Sequence, residues 1–368
     1  MKKYLVATIS ASAIRHNIAQ IRNRIGPQTK LCPVVKDDCY GHGMDVLYPV
    51  LSALADGFAV ASPLEAIALR RRGYTGFILC LLSAYLDDLE VQDELVRQSI
   101  TQTVMSATAL ASIRAAAERV GAVAQVHLKV DSGMGRLGVP VEQAAGLIRS
   151  IEALSDIQLT GIYTHFATAD EADKTETLRQ LERFQSILPK NNTLQIHAAN
   201  SAATIDLPNA HFNMVRTGLA LYGYQPSDQL QHTIPLKPCM QVSARLIAVK
   251  HLPKGSRSGY GFLHTYNRDS RVGVVPIGYG DGYFRNLSDR ACVRIKGMNA
   301  PVCGAVSMDQ ITVDITDIPQ ANVGDQVEVI SADPAAPNSV ENLAQLAGTI
   351  PYEITCHLGH NMRHLLVD

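Results

Sequence analysis

At 368 residues the chain exceeds what one hydrophobic core ordinarily organises, so two domains are expected, the larger of barrel size. Its 33 basic residues nearly balance 34 acidic ones, for a formal net charge of -1, and no block of basic residues occurs; nucleic acid or an anionic membrane is therefore not expected as the main partner. Seven scattered cysteines, none spaced Cys-x-x-Cys, suggest neither a disulfide framework nor a zinc knuckle and fit reduced thiols in the cytoplasm, and no apolar run approaches the length of a membrane span.

The sequence opens with Met1-Lys2-Lys3, an apolar stretch from Tyr4 to Ile9 and then Ala11-Ser12-Ala13, a faint likeness to a secretory signal. The apolar part is short, contains Thr8 and runs into Ile14, Ile18 and Ile21 at helical spacing. A strand leading into a helix capped by Ser10 or Ser12 is predicted instead.

Lys36 comes next, at the end of the apolar run Leu31-Cys32-Pro33-Val34-Val35 and before the turn Tyr40-Gly41-His42-Gly43. That placement predicts an amine at the lip of a sheet, where burial would leave some of it neutral, able to form an imine with an aldehyde or to take a proton from carbon. A solvated lysine at a strand end is the ordinary alternative.

From residue 30 to about residue 216, short β-branched runs alternate with longer helical stretches. Predicted strands lie near Leu31 to Lys36, Gly57 to Ser62, Gly76 to Leu82, Ile100 to Val104, Val126 to Asp131, Leu159 to His165, Thr193 to His197 and Phe212 to Arg216. That pattern is the one a closed parallel (β/α)8 barrel requires, and such barrels place their chemistry at the carboxyl ends of the strands. Lys36, Asp131, His165, His197 and Arg216 all fall there.

After Gln225 the character changes. Val242 to Val249, Val272 to Ile277, Cys292 to Ile295, Ala300 to Ala305, Ile311 to Ile315 and Gln326 to Ile330 predict a mainly antiparallel domain, and Val340 to Leu346, behind the cap Asn338-Ser339, is its last predicted helix. Gly278 to Gly282 superficially suggests a nucleotide loop, but it follows a β-domain strand and no clear helix comes after it. His42 and Asp309 carry no metal-ligand spacing, so no metal is expected.

The run Val34-Val35-Lys36-Asp37-Asp38-Cys39-Tyr40-Gly41-His42-Gly43 resembles the cofactor-lysine signature of bacterial alanine racemases. Lys129-Val130-Asp131-Ser132-Gly133-Met134-Gly135-Arg136-Leu137-Gly138, Val215-Arg216-Thr217-Gly218, Ser258-Gly259-Tyr260-Gly261, Gly278-Tyr279-Gly280-Asp281-Gly282 and Met308-Asp309-Gln310 extend the likeness in the same order along nearly the whole chain. The resemblance implies a barrel binding pyridoxal 5′-phosphate over residues 11–232. It also implies, over residues 233–368 with 1–10, a mainly β domain that supplies residues to a partner's active site in a homodimer.

Residue by residue, the resemblance implies that Lys36 holds the cofactor as an imine and that Lys36 and Tyr260 of the partner subunit are the two bases on opposite faces of the substrate α-carbon. His165 and Arg216 resemble the neighbours that would lower the phenol's pKa, and Arg216 the arginine that faces the pyridine nitrogen. Tyr40, Asn200, Ser201, Gly218 and Leu219 match phosphate-binding positions, and helix starts and glycine turns are sound anion sites on physical grounds. Arg136 resembles the arginine near the substrate carboxylate, Lys129 the lysine that some members carbamylate, and Tyr279, Met308 and Asp309 substrate-side residues lent across the dimer. Taken singly, His165, Tyr260 and Arg216 each have a plain reading as packing or ion-pair residues.

The chain departs from the family at Asp37 and Cys39, where small or amide residues are usual, and at Asn361-Met362, where an arginine-valine pair is usual; His360 aligns with a tyrosine of some members. Related serine racemases also vary at this last stretch, so a pocket admitting serine beside alanine is one expectation. Alternatives are a decarboxylase of the same architecture, which usually carries a catalytic cysteine where this chain has Tyr260, a cofactor-binding carrier without turnover, and a cofactor-free aldolase built on Lys36.

Overall fold

The computed structural model describes residues 4–189, 193–359 and 362–368. Eight short strands, Lys30–Leu31, Gly57–Val60, Phe77–Cys80, Thr101–Val104, Ala124–Asp131, Ile157–Tyr163, Gln195–His197 and Met214–Val215, run parallel around a barrel. The strands from Gly57–Val60 to Gln195–His197 form one ladder. Closure comes from Met214–Val215 pairing with Lys30–Leu31, from a bridge between Val34 and Ala59, and from the Arg216 amide donating to the Ala199 carbonyl at 2.9 Å. Runs such as Phe58-Ala59-Val60 and Ile78-Leu79-Cys80 are wholly buried, as strands covered on both faces must be. Every predicted barrel strand is present with its ends moved by a few residues. The first is cut short at Leu31 because Pro33 has no N–H to give the ladder.

Ser10 caps the helix Ala11–Ile25, accepting from the Ala13 amide at 3.1 Å, and Ile14, Ile18 and Ile21 are buried along one face. The strand before it, Val6–Ser10, belongs to a second layer. It lies antiparallel to Met240–Arg245 and parallel to Arg363–Val367 in a six-stranded sheet completed by Gln326–Ile330, Cys292–Ile295 and Met298–Pro301. A three-stranded antiparallel sheet, Ala248–Leu252, Ser270–Val275 and Ile311–Asp314, stands beside it. The mainly β second domain is therefore as expected.

Two expectations need correction there. The single strand predicted from Val242 to Val249 is two, because the chain leaves one sheet and enters the other at Leu246-Ile247, the first buried and the second exposed. The helix Val340–Ala347 is not the last: Pro351–Gly359 follows, begun by a proline whose fixed φ suits a first helical turn.

Directly after the first barrel strand, Asp37, Asp38, Cys39 and Tyr40 all take φ between 51° and 58°, one turn of left-handed helix. Non-glycine residues pay roughly 1–2 kcal/mol each for that conformation, so other contacts must hold it. Glu65 Oε1 accepts from the Asp37 amide at 2.8 Å, and Asp38 Oδ1 accepts from the Met44 amide at 2.7 Å. Glu65 is itself fixed as the far half of the Ser62 capping box. The helix Pro351–Gly359 seats against the turn, backbone to backbone: a Cβ on Gly41 would stand 2.1 Å from the Thr355 carbonyl oxygen.

Candidate active site

A cavity of about 520 Å³ opens at the carboxyl end of the barrel, within the range of small-molecule sites. Lys36, Tyr40, Lys129, Arg136, His165, Asn200, Ser201, Arg216, Gly218 and Leu219 all line it, although they come from five different strand ends. Four of them are cationic, and among the lining residues only Asp170 carries a carboxylate, so the cavity is suited to anionic ligands.

Lys36 stands at the lip of the barrel as expected, but at the head of the left-handed turn it is only partly buried. Its ammonium lies 5.9 Å from the centre of the Tyr40 ring. Tyr40 is packed between Tyr222 and Tyr352, with ring centres 5.1 and 5.9 Å away. Its hydroxyl reaches the glycine that follows the last strand: a Cβ on Gly218 would lie 2.4 Å from it, so any side chain there displaces the phenol. Ser201 Oγ accepts from the amides of Gly218 and Ala220 at 3.0 and 3.2 Å, and Asn200 Oδ1 accepts from the Ala203 amide at 3.0 Å. These contacts lock two short helical turns, Ser201–Asp206 and Leu219–Tyr222, whose starts meet at the cavity. The first amides of such turns lack intrahelical acceptors.

Arg216 is wholly surrounded. Its guanidinium donates to the Thr164 carbonyl at 2.8 Å, to His197 Nδ1 at 2.6 Å and, at 3.4 Å, to His165 Nδ1. A guanidinium only donates, so His165 Nδ1 accepts and its proton sits on Nε2. Burial first, and then the positive charge of Arg216, push the His165 pKa down to about 3, which keeps the ring neutral. Lys129 is lowered to about 8 by burial and by the nearby Arg216 and Arg136. Asp131 does not line the cavity. Its Oδ1 instead accepts from the amides of Gly133, Met134 and Gly135 at 2.9, 2.8 and 3.2 Å, shaping the loop that delivers Arg136.

Tyr260, Tyr279, Met308 and Asp309 are not brought into this cavity. They stand on exposed loops of the β domain, with Tyr260 75 % exposed at the tip of the hairpin Arg257–Ser258/His264–Thr265. Backbone bonds from Tyr279 to Ser307 and from Gly280 to Met308 tie two of these loops together. His360 and Asn361 lie outside the described residues. Tyr163, Asp170 and Tyr352 line the cavity without having been singled out: Tyr163 reads as strand core, and Tyr352 sits on the helix that was not predicted. Among the described residues no cluster of His, Cys, Asp or Glu could hold a metal, and no helix is long and apolar enough to cross a membrane.

Comparison with known proteins gives one answer. The family model for the alanine racemase N-terminal domain matches residues 9–226, and that for the C-terminal domain matches residues 239–366. The alanine racemase of Desulfovibrio desulfuricans is 40% identical over 368 residues, covering 98% of each chain, and that of Methanococcus maripaludis is 40% identical over 358 residues, covering 95% of each. Among solved structures, the alanine racemase of Streptomyces lavendulae superposes with a TM-score of 0.92 at 33% identity, covering 100% of this chain and 98% of that one. The biosynthetic alanine racemase of Pseudomonas aeruginosa gives 0.87 at 32% identity, with 100% of both chains covered. On sequence and fold together, this chain belongs to the alanine racemase family.

Proposed function

We propose that this chain interconverts L-alanine and D-alanine, with Lys36 exchanging the α-proton on one face and Tyr260 of a second copy on the other. The observation that carries the reading is the division of the site. One amine stands in a cationic cavity of the barrel, while a phenol is held out to solvent on the other domain.

The family works with pyridoxal 5′-phosphate, and the residues present fit it. The bare Gly218 facing the Tyr40 hydroxyl, together with the two braced helix starts, forms a cradle for a phosphate dianion. Tyr40, Asn200, Ser201, Gly218 and Leu219 would hold that group, and Lys36 would hold the aldehyde carbon covalently. When bound, the cofactor draws electron density away from the substrate α-carbon as its proton leaves. Arg216, a donor that keeps its own protons, would face the ring nitrogen and leave it unprotonated, which limits electron withdrawal and disfavours transamination. His165, neutral and with its Nε2 proton free of Arg216, is the donor available to a phenolate. Arg136 would bind the substrate carboxylate, and Tyr279, Met308 and Asp309 of the second copy would close the substrate side. Lys129 is a candidate for carbamylation, since an amine near pKa 8 has a reactive neutral fraction and a carbamate would place a negative charge among the cations.

The same reading takes residues 11–232 as the cofactor domain and residues 233–368 with 1–10 as the domain serving the partner. It gives the protein a cytoplasmic role, supplying D-alanine for peptidoglycan. The test is enantiomer analysis after incubation with each of several L-amino acids, serine included because of the changes at His360 and Asn361. Alanine should approach equal amounts of both forms, with its α-hydrogen exchanging into deuterated water. Bound cofactor without that exchange would refute the assignment, and carbon dioxide release from lysine or ornithine would point to the decarboxylase instead.

A further inference from the structure

Behind the cavity, a file of hydrogen bonds runs from Arg216 into the barrel. Arg216 Nη1 lies 2.6 Å from His197 Nδ1, and His197 Nε2 lies 2.9 Å from His127 Nδ1. Both imidazoles are completely buried. Because the guanidinium can only donate, His197 Nδ1 must accept, and its proton sits on Nε2. That N–H donates to His127 Nδ1, so the His127 proton is on Nε2, a buried atom without a partner among the described residues. Each ring is thereby held neutral and in one tautomer by its neighbour, since an extra proton on either would set donor against donor.

The fold makes room for this arrangement at a cost. A Cβ on Gly161 would stand 2.6 Å from both Nε2 and Cε1 of His127, and the two strands that carry them shift register between Val126 and His127. A buried donor without an acceptor destabilises a protein, whereas an aliphatic side chain would not. The remaining neighbours cannot replace the lock. Tyr163 stacks on His197 with ring centres 4.7 Å apart, and Phe77 faces His127 at 5.5 Å. The other charged or titratable groups around the file are Lys129, over the Tyr163 ring, His165, on Arg216, and Cys32.

We propose that His127 is a positioning residue for this site: by accepting from His197 it fixes the ring that holds Arg216, and so fixes the guanidinium at the cavity. The proposal rests on the reading of Arg216 given above. It is tested in the holoenzyme with ¹⁵N-labelled histidine, comparing His127→Asn, which keeps an acceptor near the place of Nδ1, with His127→Leu, which keeps none. In the parent and the Asn variant the His197 Nδ1 signal should remain that of an unprotonated nitrogen from about pH 5 to 9. In the Leu variant the His197 ring keeps only its Arg216 anchor, and that signal should shift and broaden as the ring reorients and its contact with Arg216 weakens.

The Leu variant should also lose roughly tenfold in kcat with KM little changed, and should gain an acid limb in its pH profile, while Asn restores most of the rate. Thermal denaturation of each variant separates these effects from unfolding. An unaltered His197 signal together with an unaltered pH profile in a folded Leu variant overturns the proposal. A parent without racemase activity overturns the functional reading instead, and the nitrogen signals still decide whether His127 holds the His197 ring against Arg216.

Discussion

The barrel cavity and the loop face around Tyr260 differ in how their side chains are held. In the cavity, side chains are braced by the same chain: Arg216 rests on His197 and Thr164, Tyr40 packs between two tyrosines, and Ser201 sits beneath two amides. On the loop face Tyr260, Phe262, Leu263 and Met308 are each more than half exposed, an apolar surface of the kind that marks an interaction site. A fixed half and an uncovered half are what a site completed by a second copy requires. Rigidity is built where the cofactor would sit, and the loop face would gain its rigidity on contact.

The sharpest way to break that contrast is to disable one half at a time. Lys36→Ala should abolish covalent cofactor attachment, seen as loss of the visible absorbance, and lower racemisation by about 10⁴-fold or more. Tyr260→Phe should keep the absorbance and lose roughly 10² to 10⁴-fold. Hybrid dimers formed by mixing the two variants contain one intact site each, so about a quarter of parental activity should return on random reassociation. No recovery would mean that both groups act within one chain.

Smaller effects sharpen the fixed half. Gly218→Ala forces a methyl group against the Tyr40 hydroxyl, and cofactor affinity measured by titration should fall by about tenfold or more. Asp131→Ala releases the loop behind Arg136 and should raise KM for alanine several-fold with kcat less affected, whereas Asp131→Asn, which keeps an acceptor, should stay near the parent.

The smallest effect on activity concerns acid stability. His42 and His127 are pushed down to about 4 and about 3 by burial, and His197 lies well below its usual value, so the unfolded chain binds protons near pH 6.5 that the native chain refuses. Stability is therefore complete above about 6.5 and declines as pH falls toward 4, by about 2 kcal/mol each for His42 and His127 at pH 5. Thermal melts at pH 7 and 5 measure it, and His127→Leu should flatten the slope.

Much of the site was legible because a parallel barrel converts sequence position into spatial position. Lys36, His165 and Arg216 end strands, and strand ends converge at one mouth. Tyr163 was hidden by its burial, since a tyrosine within a β-branched run reads as core. The His127–His197 contact spans 70 positions and depends on neighbouring strand registers, which no local pattern reveals. Asp37-Asp38 did carry a signal for the left-handed turn, because aspartate tolerates positive φ better than most residues, but four successive residues in that region fall outside any propensity rule. The helix Pro351–Gly359, and Tyr352 with it, has only its leading proline as a local signal.

The seating of that helix on the turn after Lys36, backbone against backbone at Gly41 and Gly359, bears on how the protein is made. The strand Val6–Ser10 and the turn after Lys36 precede the barrel's later strands in synthesis, yet each waits for a partner, Arg363–Val367 or Pro351–Gly359, that is made after the whole barrel. A nascent chain that has released its whole barrel still lacks the brace beneath its lysine, so cofactor capture should follow translation rather than accompany it.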